Sequence, residues 1–375
     1  MGAFLYTIDT NKSFIPFLFL NFVKMLAMIK ELDKDFSSLN EYIRQLDPSK
    51  IFILVDENSH NYCLPIMLPN LEIEVPFEVI EIEAGEENKT IETATQLWEI
   101  FSEMEADRKS LLINLGGGVI TDLGGFVAST YKRGFRFVNV PTTLLSMCDA
   151  SIGGKTGIDH QYLKNIIGTF ALPEAIFFYP KFLETLKFEE LRSGFAEMLK
   201  HGLIADEKHW NDLISIEKIT PEFIEPYIQR SMEIKNEVVS KDFKEQNVRK
   251  TLNFGHTIGH AVESLFLKNG NLIPHGEAVA MGMICETHLA LLCGLIEVDV
   301  SSVIISKIKR LFPYIDISEF KNAAIMDLMF NDKKNEDGNI NFSLINSIGS
   351  CLFDQKVNAE HIILTLDFYK NMGKI

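Results

Sequence analysis

The sequence predicts an α/β half built on a parallel sheet, followed by a mainly α-helical half, with the boundary near Pro180. Three observations predict it. Short β-rich runs alternate with helical periodicity through the first half of the 375 residues. Strand signals then stop after Pro180, and apolar residues recur at helical spacing from Phe182 to about Met329. The run Gly116-Gly117-Gly118 directly follows an apolar stretch, where a parallel strand turns into its helix.

The elements read in order as follows. KIFILVDEN from Lys50 and FEVIEIEA from Phe77 are rich in β-branched and aromatic residues and end in polar or glycine residues, so both read as strands. Between Lys89 and Met104, Ile91, Ala94, Trp98 and Phe101 fall on one helical face. LLINL from Leu111 is a short buried strand, and a helix follows its glycines. RFVNV from Arg136 and AIFFYP from Ala175 continue the alternation, which implies a parallel sheet covered on both faces. In the second half, helices break near Asp206, Pro221 and the loop Lys268–Pro274. INFSLINSIGSCLF from Ile340 reads as a late hairpin. No repeat stands out. The expected domains are 1–180, in which 1–30 form a poorly specified extension, and 181–375, with a ligand cleft between them.

Composition narrows the function. Apolar residues make up 46% and charged residues 23%, which excludes a disordered, collagen-like or coiled-coil chain. Lys plus Arg number 36 and Asp plus Glu 52, so the net charge is 36 − 52 = −16. With a pI near 5.1, recognition of a nucleic-acid backbone is not expected, and any anionic ligand needs a local basic cluster. Five widely spaced cysteines without a CxxC argue against a disulfide framework or a sulfur-rich zinc site and point to a reducing, cytoplasmic home. One feature pulls the other way: Lys12-Ser13 and then FIPFLFLNFV resemble a signal-peptide core. That run is too short to span a membrane, is followed by Lys24 and Lys30, and lacks a small-residue cleavage site. Translation from Met25 or Met28 is the alternative reading. No membrane association is expected.

Three groups of residues carry chemistry. In NLGGGVITDLGG, glycines at the opening of a helix let backbone N–H groups approach a pyrophosphate. Thr121 occupies the third glycine position, so this is not GxGxxG, and on spacing alone a tight βα turn reads equally well. Asp56, at a strand end, can take ribose hydroxyls or simply form a turn. Next, NFGHTIGH sets His256 and His260 at i, i+4, and PHGE adds His275. Two imidazoles and one carboxylate, from Glu197, Glu263 or Glu277, would make an open three-ligand metal site, and the absence of HExxH disfavours a zincin peptidase. Finally, Lys155, Lys164, Arg133, Lys200 and Arg249 sit beside glycine-rich turns or the histidine motifs. In so acidic a chain they read as a pocket for phosphate or carboxylate.

Taken together, GGGVITDLGGFVASTYKRG, VPTTLLSMCDASIGGKTGID, LKNIIGTF, SGFAEMLKHGLI and RKTLNFGHTIGHAVE resemble 3-dehydroquinate synthase, in order from about Asp56 to Lys334. The resemblance implies an NAD-binding α/β domain, a helical metal-binding domain and a site between them. It further implies catalytic NAD, zinc or cobalt, a phosphorylated sugar acid as substrate and a homodimer. Glu197, His256 and His275 match the family's metal ligands, and His260 matches a proton-transfer residue on the substrate side. Gly117, Gly118, Val119 and Asp122 match the pyrophosphate turn; Asp56, Asn58, Glu86 and Lys89 match the adenosine side. Thr142, Thr143, Asp149, Lys164, Phe182 and Thr185 match further cofactor contacts. Asp149, Lys155, Asn165, Lys200, Lys235, Arg249, Asn253 and His260 match the substrate pocket, with Lys155, Lys200 and Asn165 on its catalytic side. Arg133 matches an arginine that reaches a neighbouring subunit's site, and Lys333 or Lys334 matches a late substrate lysine.

One departure stands out: Ala150 occupies a position where the family commonly has serine. The rival readings are a sister cyclase acting on another phosphorylated sugar, a metal-dependent polyol dehydrogenase with net NAD turnover, and a catalytically silent binding protein. Lys235, Arg249 and Asn253 suit a substrate carboxylate and favour the dehydroquinate reading.

Overall fold

The computed structural model describes residues 28–160, 163–330 and 340–373. The apolar stretch 14–23, Met25, Lys333 and Lys334 lie outside the described residues. Within them, the first half is a parallel sheet of six strands in the order β1-β8-β5-β4-β2-β3. The strands are β1 (Met28–Glu31), β2 (Ile51–Asp56), β3 (Phe77–Ile82), β4 (Leu111–Gly116), β5 (Arg136–Pro141) and β8 (Ala175–Phe178). β2 and β4 are buried along almost their whole length, as their unbroken apolar sequences require, whereas edge strand β3 is half exposed.

The period of two in β2 divides the core. Ile51, Ile53 and Val55 point into a cluster shared with the helical half. Phe52 and Leu54 point to the other face, against Phe101 and Leu97 of α4 (Ile91–Glu103) and Leu123 of α5 (Gly118–Thr130). Asn114 and Asn139 are buried mid-sheet, where Asn114 Nδ2 donates to Asn139 Oδ1 at 2.9 Å and Asn139 donates to the Ser151 carbonyl at 3.1 Å. Ahead of α4 lie three short helices, α1 (Ser37–Leu46), α2 (Glu57–Tyr62) and α3 (Leu64–Met67).

After β8 come α6 (Phe188–Ala205), α7 (Glu207–Ile214), α8 (Pro221–Lys241), α9 (His256–Lys268), α10 (His275–Leu292), α11 (Val298–Leu311), α12 (Asn322–Phe330) and α13 (Ala359–Met372). The expected breaks have clear causes. Asp206 caps α7 by accepting from the His209 N–H at 3.0 Å, and Pro221 takes the first position of α8, where no N–H is needed. The late hairpin forms as β9 (Asn341–Ser347) and β10 (Ser350–Lys356).

Two elements have no counterpart in the sequence reading. β1 adds a parallel edge to β8. More consequentially, β6 (Lys155–His160) and β7 (Leu163–Phe170) form an antiparallel hairpin inside the α/β half. Its glycines masked it: a Cβ on Gly168 would lie 2.2 Å from the Thr156 carbonyl oxygen, so close strand contact requires residues that carry no strand signal. No described helix is long and apolar enough to cross a membrane.

Candidate active site

α6 presents Glu197 and Lys200 on its buried face; neither is more than 1% exposed, and the two form an ion pair. α9 brings His256 and His260 onto one face, and α10 begins with His275. Close packing of these helices depends on missing side chains. A Cβ on Gly282 would sit 1.8 Å from the Gly255 oxygen, one on Gly259 2.8 Å from the Ala278 oxygen, and one on Gly276 2.2 Å from the Ser193 oxygen. Ser193 Oγ also accepts from the Gly276 N–H at 2.7 Å, which pins the start of α10 to α6.

The three imidazoles converge, with ring centroids 4.8 Å apart for His256–His260, 5.6 Å for His256–His275 and 5.7 Å for His260–His275. Glu197 Oε1 faces His256 Nε2 at 3.4 Å and His275 Nε2 at 3.6 Å. The Nδ1 atoms are occupied from behind. His256 Nδ1 donates to the Phe254 carbonyl at 3.1 Å, and His275 Nδ1 faces Glu263 Oε2 at 3.3 Å. Both Nε2 atoms therefore face the same Glu197 oxygen. Of the other two carboxylates weighed, Glu263 lies behind His275 and beside Lys164 at 3.2 Å, and Glu277 is paired with Arg192.

This arrangement fits a metal ion. With bonds near 2.1 Å, the ligand–ligand edges of a tetrahedral site are about 3.4 Å, close to the two Nε2–Oε1 separations. The electrostatics agree. Burial alone would lower the His275 imidazole, yet hydrogen bonds to Glu197 and Glu263 raise it to about 10. Burial would raise Glu197, but Lys200 and His256 hold it well below the usual carboxylate range. Positive charge is thus favoured at His275, whereas burial and the Lys200 ammonium lower the His256 imidazole and keep it neutral, the form a metal ligand needs.

The glycine turn lies at the carboxyl ends of the strands. Gly117 caps α5 without any side chain, and the first turn of α5 holds no acid, so its N–H groups present an uncontested positive end. A Cβ on Gly117 would lie 3.2 Å from Thr143 Cγ2, and one on Gly118 3.4 Å from Ala150 Cβ; the turn is thus a narrow cradle, and Val119 follows in it. The Thr142 N–H donates to the Gly116 carbonyl at 3.0 Å, fixing the β5 end beside it. These features fit a dinucleotide pyrophosphate.

Around the cradle, Lys89 is 2% exposed and holds Asp122 at 2.7 Å, Asn165 Oδ1 at 2.5 Å and Glu86 at 3.8 Å. It joins α5 to the β6–β7 hairpin. Asp56, at the end of β2, accepts from the Ser59 N–H at 2.7 Å as a helix cap, with Asn58 exposed beside it. Phe182 is buried against Phe36 and Tyr179, and the Thr185 hydroxyl donates to the Phe182 carbonyl at 3.3 Å.

Between the halves, Lys235 on α8 pairs with Asp149 and donates to the Asp149 carbonyl at 2.7 Å. Lys155 pairs with Glu245, whose other oxygen accepts from Asn253 at 2.9 Å. Buried Arg249 reaches back to the Gly153 carbonyl at 2.9 Å. Glu245, which no motif singles out, sits among three expected substrate residues, and its φ of 57° marks a constrained turn. Arg133 is not brought to this place. It is exposed, has φ 68°, and precedes β5 at the amino end of the sheet, away from the glycine turn.

Two family models cover most of the chain: 3-dehydroquinate synthase N-terminal over residues 79–193, and 3-dehydroquinate synthase C-terminal over residues 194–335. The 3-dehydroquinate synthase of Parabacteroides distasonis is 40% identical over 341 residues, covering 89% of this chain and 95% of that protein. The enzyme of the same name from Campylobacter jejuni is 37% identical over 344 residues, covering 87% and 95%. Among solved structures, ValA, a 2-epi-5-epi-valiolone synthase from Streptomyces hygroscopicus with NAD+ and Zn2+ bound, superposes with a TM-score of 0.82 at 25% identity, covering 98% of this chain and all of that one.

Proposed function

The chain belongs to the 3-dehydroquinate synthase family, and from that premise we propose how its own residues carry the family reaction. The enzyme converts 3-deoxy-D-arabino-heptulosonate 7-phosphate into 3-dehydroquinate and phosphate, with NAD and Zn2+ or Co2+ as cofactors. Glu197, His256 and His275 hold the metal, and the observation that carries this reading is the single Glu197 oxygen facing both Nε2 atoms at 3.4 and 3.6 Å. The Gly117–Gly118 cradle, Val119, Thr142 and Thr143 hold the pyrophosphate of NAD. Asp56, Asn58, Glu86, Lys89 and Asp122 shape its flank, and Asp149, Lys164, Phe182 and Thr185 complete the pocket. When bound, NAD takes and returns one hydride and the metal polarises adjacent substrate oxygens.

The chain supplies charge, orientation and proton handling. Lys155, Lys235, Arg249 and Asn253 converge from both halves and bind the phosphate and carboxylate of the substrate, offsetting a net charge of −16 that would otherwise repel it. Lys200 holds Glu197 ionised and stands on the substrate side with Asn165. His260 packs edge-on to His256 at a centroid distance of 4.8 Å, beside the metal ligands, and from there its imidazole moves the hydroxyl proton during transient oxidation. Phosphate then leaves, the ketone is reduced, the ring opens and an aldol closure follows; no net redox occurs, which makes the enzyme a carbon–oxygen lyase. Arg133, remote from its own site, reaches that of a partner in a homodimer. The described cysteines are free, which supports a cytoplasmic enzyme.

Two rivals separate cleanly. A sister cyclase such as a valiolone synthase would use the same centre on a sugar lacking the carboxylate, and a polyol dehydrogenase would accumulate NADH. Phosphate release from 3-deoxy-D-arabino-heptulosonate 7-phosphate with catalytic NAD, followed alongside NADH absorbance, tests all three. Stoichiometric phosphate without NADH, lost on chelation and restored by zinc, supports the reading. No phosphate from a zinc-loaded, NAD-binding sample overturns it.

A further inference from the structure

Glu286, on α10, has a fully buried carboxylate, and both of its oxygens face the amino end of α9. Oε2 accepts from the Gly255 N–H at 2.6 Å and Oε1 from the Ile258 N–H at 3.1 Å. These are the cap and third N–H groups of α9, the pair that a local capping box would satisfy with two side chains. Gly255 has no side chain to offer and holds φ 81°, so one carboxylate from another helix does both tasks. Gly282, one turn before Glu286, makes the reach possible, since its missing Cβ lets α10 lie against the Gly255 carbonyl.

The consequence lies in which peptide is gripped. The Gly255 N–H belongs to the same peptide unit as the Phe254 carbonyl, and that carbonyl accepts the His256 Nδ1 proton at 3.1 Å. A chain therefore runs from the Glu286 carboxylate through one peptide group to the His256 imidazole. Negative charge at the N–H end of a peptide makes its carbonyl a stronger acceptor, because linked hydrogen bonds polarise one another. A firmer hold on Nδ1–H fixes the tautomer, the ring plane and the basicity of Nε2.

We propose that Glu286 is a positioning residue for His256, acting through the Phe254–Gly255 peptide to set the metal affinity of the site. The proposal rests on the metal reading given above. It assigns to a buried acid that grips the backbone of α9 the task performed elsewhere by a carboxylate bonded directly to a histidine, as Glu263 is to His275 in this protein.

The test compares native protein, Glu286→Gln and His256→Ala. Zn2+ affinity is measured by chelator competition, the visible spectrum after Co2+ loading is recorded, and NAD affinity serves as the control for folding. Glutamine keeps the volume but turns an NH2 group toward one backbone donor. Zinc affinity is expected to fall about tenfold or more with an altered cobalt spectrum, while NAD affinity stays within threefold. Unchanged zinc affinity and cobalt spectrum in Glu286→Gln, with His256→Ala impaired, would overturn this proposal alone. Unchanged zinc affinity in His256→Ala would overturn the metal reading beneath it. Should Glu286→Gln fail to fold, selectively labelled native enzyme decides: the Gly255 amide and His256 Nδ1 protons are expected well downfield, and ordinary shifts for both sink the proposal.

Discussion

Glu197 and Lys200 lie one helical turn apart on α6, both buried, with the ammonium paired to the carboxylate that also faces two imidazoles. A cation intrinsic to the fold therefore competes with any cation delivered to the site, and it keeps the acid ionised before one arrives.

Removing that cation separates the two states. Lys200→Met leaves Glu197 buried without its ammonium, and the metal-free protein should lose about 3–5 kcal/mol of stability. Zinc then supplies the missing charge, so the zinc-induced rise in melting temperature should be larger in the variant than in the native enzyme. Equal rises in a metal titration of both proteins would count against this picture.

His260 should separate from the ligand histidines in a metal assay. His260→Ala is expected to slow phosphate release about 10²–10⁴-fold, the usual worth of a lost proton-transfer group, while retaining zinc. His256→Ala and His275→Ala should lose zinc and activity together. Metal analysis beside phosphate release checks it, and loss of zinc from His260→Ala would place that residue on the metal instead.

Acid sensitivity should arise partly outside the site. Burial lowers the His209 imidazole to about 4. Between that value and the ordinary 6.5 the unfolded chain binds a proton that the folded one refuses, so stability rises with pH through this window and falls on acidification. The full effect, reached below pH 4, is on the order of 3 kcal/mol. Denaturation of native and His209→Gln protein from pH 7 to 4 measures it, and the variant should show the flatter profile.

Lys89 is the hub beneath the glycine cradle. Lys89→Met strands Asp122 without its cation and should cost about 3–5 kcal/mol, with weakened NAD binding. Adding Asp122→Asn removes the uncompensated charge and should restore much of the stability. A double-mutant cycle showing independent, additive losses would refute the coupling.

Much of the fold was legible because buried parallel strands announce themselves as unbroken apolar runs, as β2 and β4 do. The β6–β7 hairpin was not, because Gly157 and Gly168 serve close backbone contact rather than propensity. In the site, His256, His260 and His275 could be singled out by residue type and helical spacing alone. The choice among Glu197, Glu263 and Glu277 could not, since each lies near a histidine or lysine in sequence and only the packing of α6 against α9 and α10 tells which oxygen faces two Nε2 atoms. Glu245 and Glu286 escaped for the same reason. A lone acid between ordinary residues carries no periodicity, and its partners lie on other elements.

The glycines that seat α10 against α9 and α6 bear on how this centre can change over time. Where two helices meet main chain to main chain, their spacing is independent of the side-chain inventory, and neighbouring core residues can drift without carrying the histidines apart. The same contacts leave no rotamer free to absorb an added methyl group. Selection for a different metal or substrate would therefore be expected to accumulate changes in the connecting loops and charged pocket residues, while the glycine seats stay fixed.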